Sequence, residues 1–450
     1  MSNYFTEFHK VSKTDWEAKI VADLNGKNQD TLRINDAIEE IDLSGYQHSE
    51  DIDHQSETPG NFPFSRGMNK ADNSWNNGVL IEIEDEVIAN KKALKALKSG
   101  ADLLVFKTIK SKTNWKTVLD EIQLEHIRTQ FIVRTLDELN ELKNAAKLES
   151  NEIGFNIDFL EEQWTDASFQ KIANMFKAKQ QQFCSINGFK LQQSGATTWQ
   201  EIAFSLSTGH EYLVKLMQQG FTIDQAAGCI SFKIGIGSNY FYEIAKIRSL
   251  KKLWSKIVNA YSPEHGCSHN CPITAVIGHM NKSLNDPHTN VLRQTTEAMS
   301  AANAGVDGVV VLPYDLLSFN GPSELAERLA LNISSILKEE SYLDKVIDPI
   351  GGSYSLEKLT ELIGEKSWEA FKILDAGGGV FDKQVLDNLL AEIVSKRSQR
   401  IKQFDNQDSI LIGINKYRVG NKTDEKWKEA NVYLGMKQLI FEIEHKSNTV

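Results

Sequence analysis

From Gly78 to about Glu340 the chain repeats one pattern: a short apolar run, a few polar residues, then a stretch of helical period. Parallel strands need a long crossover to bring the chain back, and a helix is the usual crossover, so the repeat predicts βα units and a parallel sheet. The predicted strands are 79–83, 103–107, 131–135, 154–159, 183–187, 230–234, 273–277 and 309–312. The predicted helices are 87–98, 114–121, 137–148, 167–179, 197–219, 239–261, 290–304 and 323–340. Eight units favour a (β/α)8 TIM barrel, although an open doubly wound sheet would give the same alternation. In a barrel the strands deliver their last side chains to the catalytic face, and the fifth run, FCSIN followed by GFKLQQSGA, puts Lys190 there.

Composition narrows the function classes. With 450 residues, 41% hydrophobic, and no long apolar run, the chain can bury one barrel-sized core plus extensions and has no expected membrane segment. A net charge of −11 works against a phosphate-backbone partner, so nucleic acid is not expected. Four cysteines do not make a disulfide framework in so long a chain. The N-terminal residues show neither an apolar signal core nor an Arg-rich transit pattern, and a cytoplasmic location is expected.

Outside the repeat, residues 11–43 combine a helix pattern (Trp16, Ile20, Val21, Leu24) with polar sequence too poor in apolar residues for a core of its own. They are expected to form an arm packed on something larger. Thr58 to Gly67, TPGNFPFSRG, is rich in residues that restrict or free the backbone and predicts an irregular structured segment. Residues 356–396 are expected to be mostly helical, broken at Gly377-Gly378-Gly379, with a tail after Tyr417. The expected division is an N-terminal arm over 1–75, a barrel over 76–345 and a helical extension over 346–450.

Several runs carry a resemblance. TPGNFPFSRG is similar to a Pro-Gly-x-x-Pro-Phe-Thr-Arg-Gly signature. Ser185 to Ala196, SINGFKLQQSGA, resembles a Ser-Gly-Tyr-His-Met-Gln-Glu-Ala-Gly-Ala run, and Asn239 to Lys246, NYFYEIAK, an Asn-Phe-Phe-Met-Glu-Ile-Ala-Lys helix. Asp348 to Tyr354, DPIGGSY, resembles Asp-Pro-Trp-Gly-Gly-Ser-Tyr, and Asn415-Lys416-Tyr417 an Asn-Lys-Tyr near the barrel's end. Together, and in this order, these motifs resemble the adenosylcobalamin-dependent acyl-CoA mutases of the methylmalonyl-CoA mutase family.

The departures matter as much as the matches. The family's active-site His, which donates to the substrate carbonyl, is matched by Lys190. The family's Tyr- and Arg-rich run that grips CoA and faces the corrin is replaced by MNKADNSWNN over Met68 to Asn77, and no Arg stands near a CoA phosphate in Asp158 to Ser168, where an acidic pair would repel one. The family's cobalamin domain is marked Asp-x-His-x-x-Gly. The Asp286-Pro287-His288 triplet here is followed by Val291 where Gly is required, so it is rejected as a cobalt site. The resemblance therefore implies the small, non-catalytic subunit of a heterodimeric mutase that interconverts methylmalonyl-CoA and succinyl-CoA. Its adenosylcobalamin would lie on a large cobalamin-binding partner subunit, and this chain would stabilise that partner without binding the cofactor.

The site expectations are correspondingly spare. No catalytic residue is expected; Asn187, Lys190, Gln192, Gly235 and His279 are candidates for a vestigial substrate pocket. His265, Cys267, His269 and Cys271 offer ligand types that could complete a tetrahedral zinc shell. Their alternating spacing is not a usual finger arrangement, and the preferred reading is a solvated loop. Gly235-x-Gly237 reads as backbone clearance, since Tyr240 takes the place of the third Gly of a phosphate-cradling turn. Gln200, Glu201, His210 and Glu211 read as the solvated or interfacial face of one helix. Two enzyme alternatives remain: a substrate-binding subunit working with a separate cobalamin module, and a Schiff-base barrel using Lys190.

Overall fold

The apolar runs fold as eight parallel strands in the computed structural model: β1 (Asn76–Ile83), β2 (Leu103–Thr108), β3 (Arg128–Ile132), β4 (Ile153–Asn156), β5 (Cys184–Asn187), β6 (Ile230–Ile236), β7 (Ile273–Ile277) and β8 (Gly308–Val311). The described residues are 9, 11–52, 57–69, 71–110, 112–145, 150, 152–161, 164–178, 181–418, 427–428, 432–433 and 435–447. β8 pairs with β1 in the register Gly308 to Asn76 through Val310 to Gly78. The remaining seam, between β4 and β5, is bridged by Ile157 and Cys184, and the Phe155 N–H donates to the Gln182 carbonyl at 2.7 Å. The sheet is thus a closed barrel, not an open one.

Period two divides each strand between two environments. Outward side chains such as Ile81, Phe106, Phe131, Phe155, Ile186, Phe232 and Ile277 join one large core with the surrounding helices. Phe106, Phe131 and Phe155, on successive strands, stack with centroids 5.5 and 6.1 Å apart. Inward, Leu103, Val105, Val276, Val310 and Leu312 pack with Leu80 and Ile132 into a separate cluster. Beside it the Gln130 amide donates to Thr274 at 3.2 Å and Asn156 donates to Gln130 at 3.0 Å. The barrel axis is therefore filled by side chains, among which Gln130, Thr274 and Asn156 bond one another.

The helices start where the sequence supplies caps. Asp85, Thr197, Asn239 and Ser323 accept from the first-turn amides of Glu86–Lys98, Thr198–Gln218, Tyr240–Ala260 and Glu324–Glu339. Three local expectations need correction. β3 begins three residues earlier than predicted, at Arg128. The helix after β2 is only Trp115–Val118. After β5 the chain turns at once into a short helix, Gly188–Gln193, ahead of the long one. The predicted helix ends at Leu148 and Lys179 lie outside the described residues, as does Lys70 in the Met68 to Asn77 run.

The flanking segments are built into the barrel. A hairpin pairing Ile34–Asp36 with Ile41–Leu43 lays Ile41 and Leu43 into the main core. Its Glu39 accepts from the Thr198 amide and hydroxyl at 2.8 Å and from Arg400 at 2.6 Å. The C-terminal helices Tyr354–Ala376 and Lys383–Asp405 break at the predicted glycines, where Gly378 and Gly379 take φ of +111° and +80°, a region that favours glycine. Motifs far apart in sequence meet on one side of the barrel. Arg66 lies 3.1 Å from Asp348 and 2.8 Å from Glu357, and the buried Arg248 reaches the same two carboxylates. A Cβ at Gly351 would stand 2.6 Å from the Arg66 guanidinium, which explains a glycine there.

Candidate functional site at the barrel mouth

The C-terminal mouth is shaped by the Gly188–Gln193 helix, which folds inward across the ends of β6 and β7. Two glycines make the room: a Cβ on Gly235 would lie 2.6 Å from Gln192, and one on Gly278 would lie 2.6 Å from Phe189. Beneath the helix remains a cavity of about 310 Å³, at the small end of the range for ligand pockets. Leu80, Val105, Ile132, Val276, Val310 and Leu312 form its apolar wall.

The cations of the mouth divide into two kinds. Lys190 sits on the short helix, not on the strand, and is 28% exposed; its amine lies 2.7 Å from Glu161 and 3.6 Å from Asp158. Lys107, at the end of β2, pairs with Glu82 of β1 at 2.6 Å. Lys233, at an inward position in the middle of β6, is only 8% exposed, and no hydrogen bond or ion pair within 4.0 Å reaches its amine among the described residues. Burial, with the like charges of Lys190 and Lys107, pushes its pKa down to about 7, partly offset by Asp158. Ser185 and Asn187 line the same cavity, and the Ser185 Oγ and Asn187 Oδ1 are buried without partners.

Of the five predicted pocket residues, the fold brings Asn187, Lys190 and His279 to this cavity. His279 is no free acid or base: its backbone N–H donates to Gln193, and its Nε2 donates to the Pro313 carbonyl at 2.8 Å. Burial drives its pKa down to about 4 and keeps the ring neutral. Gln192 and Gly235 belong to the neighbouring wall. There Gly235 donates its N–H to Glu201 at 2.8 Å and accepts from Lys246 at 2.6 Å. This also corrects the expected solvated or interfacial helix face at two of its four positions, because Gln200 and Glu201 are fully buried. Glu201 is drawn inward by Lys246, which lies 2.8 Å from it and 2.5 Å from Glu243. His210 does reach outward, to Asp375 at 2.7 Å and Tyr261 at 2.6 Å.

The His and Cys quartet lies at the opposite end, ahead of β7. His269 packs on Phe62 and Phe64, with its ring nitrogens 3.1 Å from the Gly266 carbonyl and 3.3 Å from Asn259. Cys271 is buried and Cys267 exposed. Among the described residues no three His, Cys, Asp or Glu side chains are arranged to hold a metal ion. No helix there is long and apolar enough to cross a membrane.

Sequence reasoning missed Lys233 and the carboxylate partners of Lys190. The signal for Lys233 was available: it is the one charged residue in ISFKIGI, and alternation with Ser231 and Gly235 turns it inward. Glu161 was weighed only against a phosphate, as a pair with Glu162, which lies outside the described residues, and the loop after β4 gives no spacing that points to Lys190.

Fold and site together define a closed (β/α)8 barrel with a small, charged cavity at its C-terminal mouth. A model of the methylmalonyl-CoA mutase family matches residues 165–439, and the chain belongs to that family. The methylmalonyl-CoA mutase small subunit of Porphyromonas gingivalis is 31% identical over 441 residues, covering 92% of this chain and 71% of that protein. The methylmalonyl-CoA mutase of Rhizobium meliloti is 33% identical over 241 residues, 53% of this chain and 33% of its own length. The large subunit from Streptomyces virginiae is 32% identical over 246 residues, 54% of this chain and 33% of its own length. The chain thus spans most of the first relative and about a third of the other two.

Proposed function

We propose that this chain is the small, non-catalytic subunit of an adenosylcobalamin-dependent methylmalonyl-CoA mutase, and that it stabilises a large, cobalamin-binding subunit in the cytoplasm. The observation that carries this reading is the ion pairing of Lys190. The residue at the position of the family's carbonyl-donating His is an ammonium tied to Glu161 and Asp158, not a free donor over a substrate. The filled axis supports the same reading, since a thioester threaded down the barrel would meet Leu103, Val105 and Val310. The names of the Porphyromonas gingivalis and Streptomyces virginiae relatives support a division into small and large subunits.

Adenosylcobalamin does not fit the residues of this mouth. The His279 ring is buried and bonded to Pro313, leaving no open imidazole for cobalt among the described residues that line the cavity, and the short helix crosses the face a corrin would cover. The chemistry is accordingly assigned to the partner, and the arm over 1–75, barrel over 76–345 and extension over 346–450 are taken to serve as one supporting body. Co-expression with a large cobalamin-binding subunit tests this. The expected result is a heterodimer in which the large subunit turns over methylmalonyl-CoA and loses activity or stability when this chain is left out. Turnover by this chain alone with added adenosylcobalamin, or failure to form the complex, would contradict it.

A further inference from the structure

We propose that the mouth cavity is a carbonyl-binding site in which the Lys233 amine captures a short aliphatic aldehyde or ketone as an imine. This is independent of the subunit reading, because it concerns a cavity that reading leaves without a task. Two polar atoms on the wall of this roughly 310 Å³ space, the Ser185 hydroxyl and the Asn187 carbonyl oxygen, are buried without partners, and the Lys233 amine beside them has no hydrogen bond or ion pair among the described residues. A buried polar group without a partner is costly, and two around one cavity beside an unbonded amine indicate a ligand that supplies the missing bonds. The apolar wall of Leu80, Val105, Ile132 and Val310 fits a short hydrocarbon body.

Amine chemistry selects Lys233 over its neighbours. Lys190 and Lys107 are held in ion pairs with carboxylates, whereas the Lys233 amine, buried and beside like charges, is partly neutral near pH 7. Its lone pair adds to the carbonyl carbon, and the carbonyl π pair moves onto oxygen. A proton passes from nitrogen to that oxygen, giving a carbinolamine that can donate to Asn187 and accept from Ser185. The nitrogen lone pair then forms the C=N bond as the hydroxyl leaves, taking a proton from solvent at the mouth to depart as water. Amine, carbonyl and one proton from solvent give a protonated imine and water, with no change of oxidation state.

Reductive trapping tests the proposal on the full chain. Butyraldehyde and sodium cyanoborohydride are added near pH 7, and the product is followed by intact mass and peptide mapping. The expected result is one butyl group on Lys233, formed at least about a hundredfold faster than on any surface lysine, as the neutral fraction of the two kinds of amine dictates. Lys233→Met and Lys233→Arg should both lose it; the arginine keeps the charge without a competent amine, and circular dichroism confirms that each variant folds. Labelling spread over surface lysines, or a fast adduct that survives in Lys233→Arg, would overturn the proposal. Saturable binding of butyrate without any trapping of butyraldehyde would overturn it in favour of an anion site.

Discussion

Two lysines close together in the fold, Lys246 and Lys233, are buried almost equally and answer burial in opposite ways. Lys246, 1% exposed in the barrel wall, is met by Glu201, Glu243 and the Gly235 carbonyl, and these raise its pKa despite the loss of water. Lys233, 8% exposed in the mouth, meets no carboxylate within 4.0 Å among the described residues, and its pKa falls. Burial alone does not decide a lysine's charge; the carboxylates it finds do. In the wall the ammonium ties β6 to the long helices on either side. In the mouth the amine is left available.

The contrast can be broken most forcefully in the wall. Lys246→Met strands Glu201 and Glu243 in a dry site, and it should cost about 3 to 5 kcal/mol in urea unfolding at neutral pH. Lys233→Met removes a desolvated amine that nothing repays, and it should stabilise the fold by about 1 to 3 kcal/mol. A loss of similar size in both variants would erase the distinction.

The pH dependence sharpens it. Lys233 is lowered from 10.5 to about 7, so the unfolded chain binds more protons between those values, and stability should rise with pH across that window. The slope is at most about 1.4 kcal/mol per pH unit, and Lys233→Met should abolish it. Glu243 is raised by burial from 4.5 to about 7, so its share of stability is full below 4.5 and is lost as pH rises to about 7. Glu444, also raised to about 7 by burial, acts in the same window. Glu243→Gln should therefore flatten part of the acidic limb and leave the alkaline one intact. Chemical denaturation across pH separates the two limbs.

Smaller effects are expected around the short helix. Gly278→Ala places a Cβ 2.6 Å from Phe189 and should cost about 1 to 3 kcal/mol by forcing that helix outward. Glu161→Gln breaks a pair whose side chains are about 30% exposed, and it should cost under about 1 kcal/mol because water screens the interaction.

The sequence made the scaffold legible because a barrel is a periodic object. The βα alternation located all eight strands, and β7 was predicted over its observed span, Ile273–Ile277. The triple glycine marked the break between the C-terminal helices. What escaped was set by contacts across the fold. Glu201 looked like a surface carboxylate until Lys246, on the next long helix, turned it inward. Lys190 looked like a strand-end group until the Gly188–Gln193 helix lifted it onto the rim, beside carboxylates from the loop after β4. Motif matching located the departures from the family pattern, but it could not show which charges would meet.

The claim on which the rest turns is that this mouth no longer accepts a CoA thioester. Calorimetric titration of succinyl-CoA into the purified chain tests it most directly. The account predicts no saturable heat and a Kd weaker than about 1 mM. One-to-one binding at micromolar concentration, weakened when Lys190 is replaced by alanine, would contradict it and return the barrel to substrate binding.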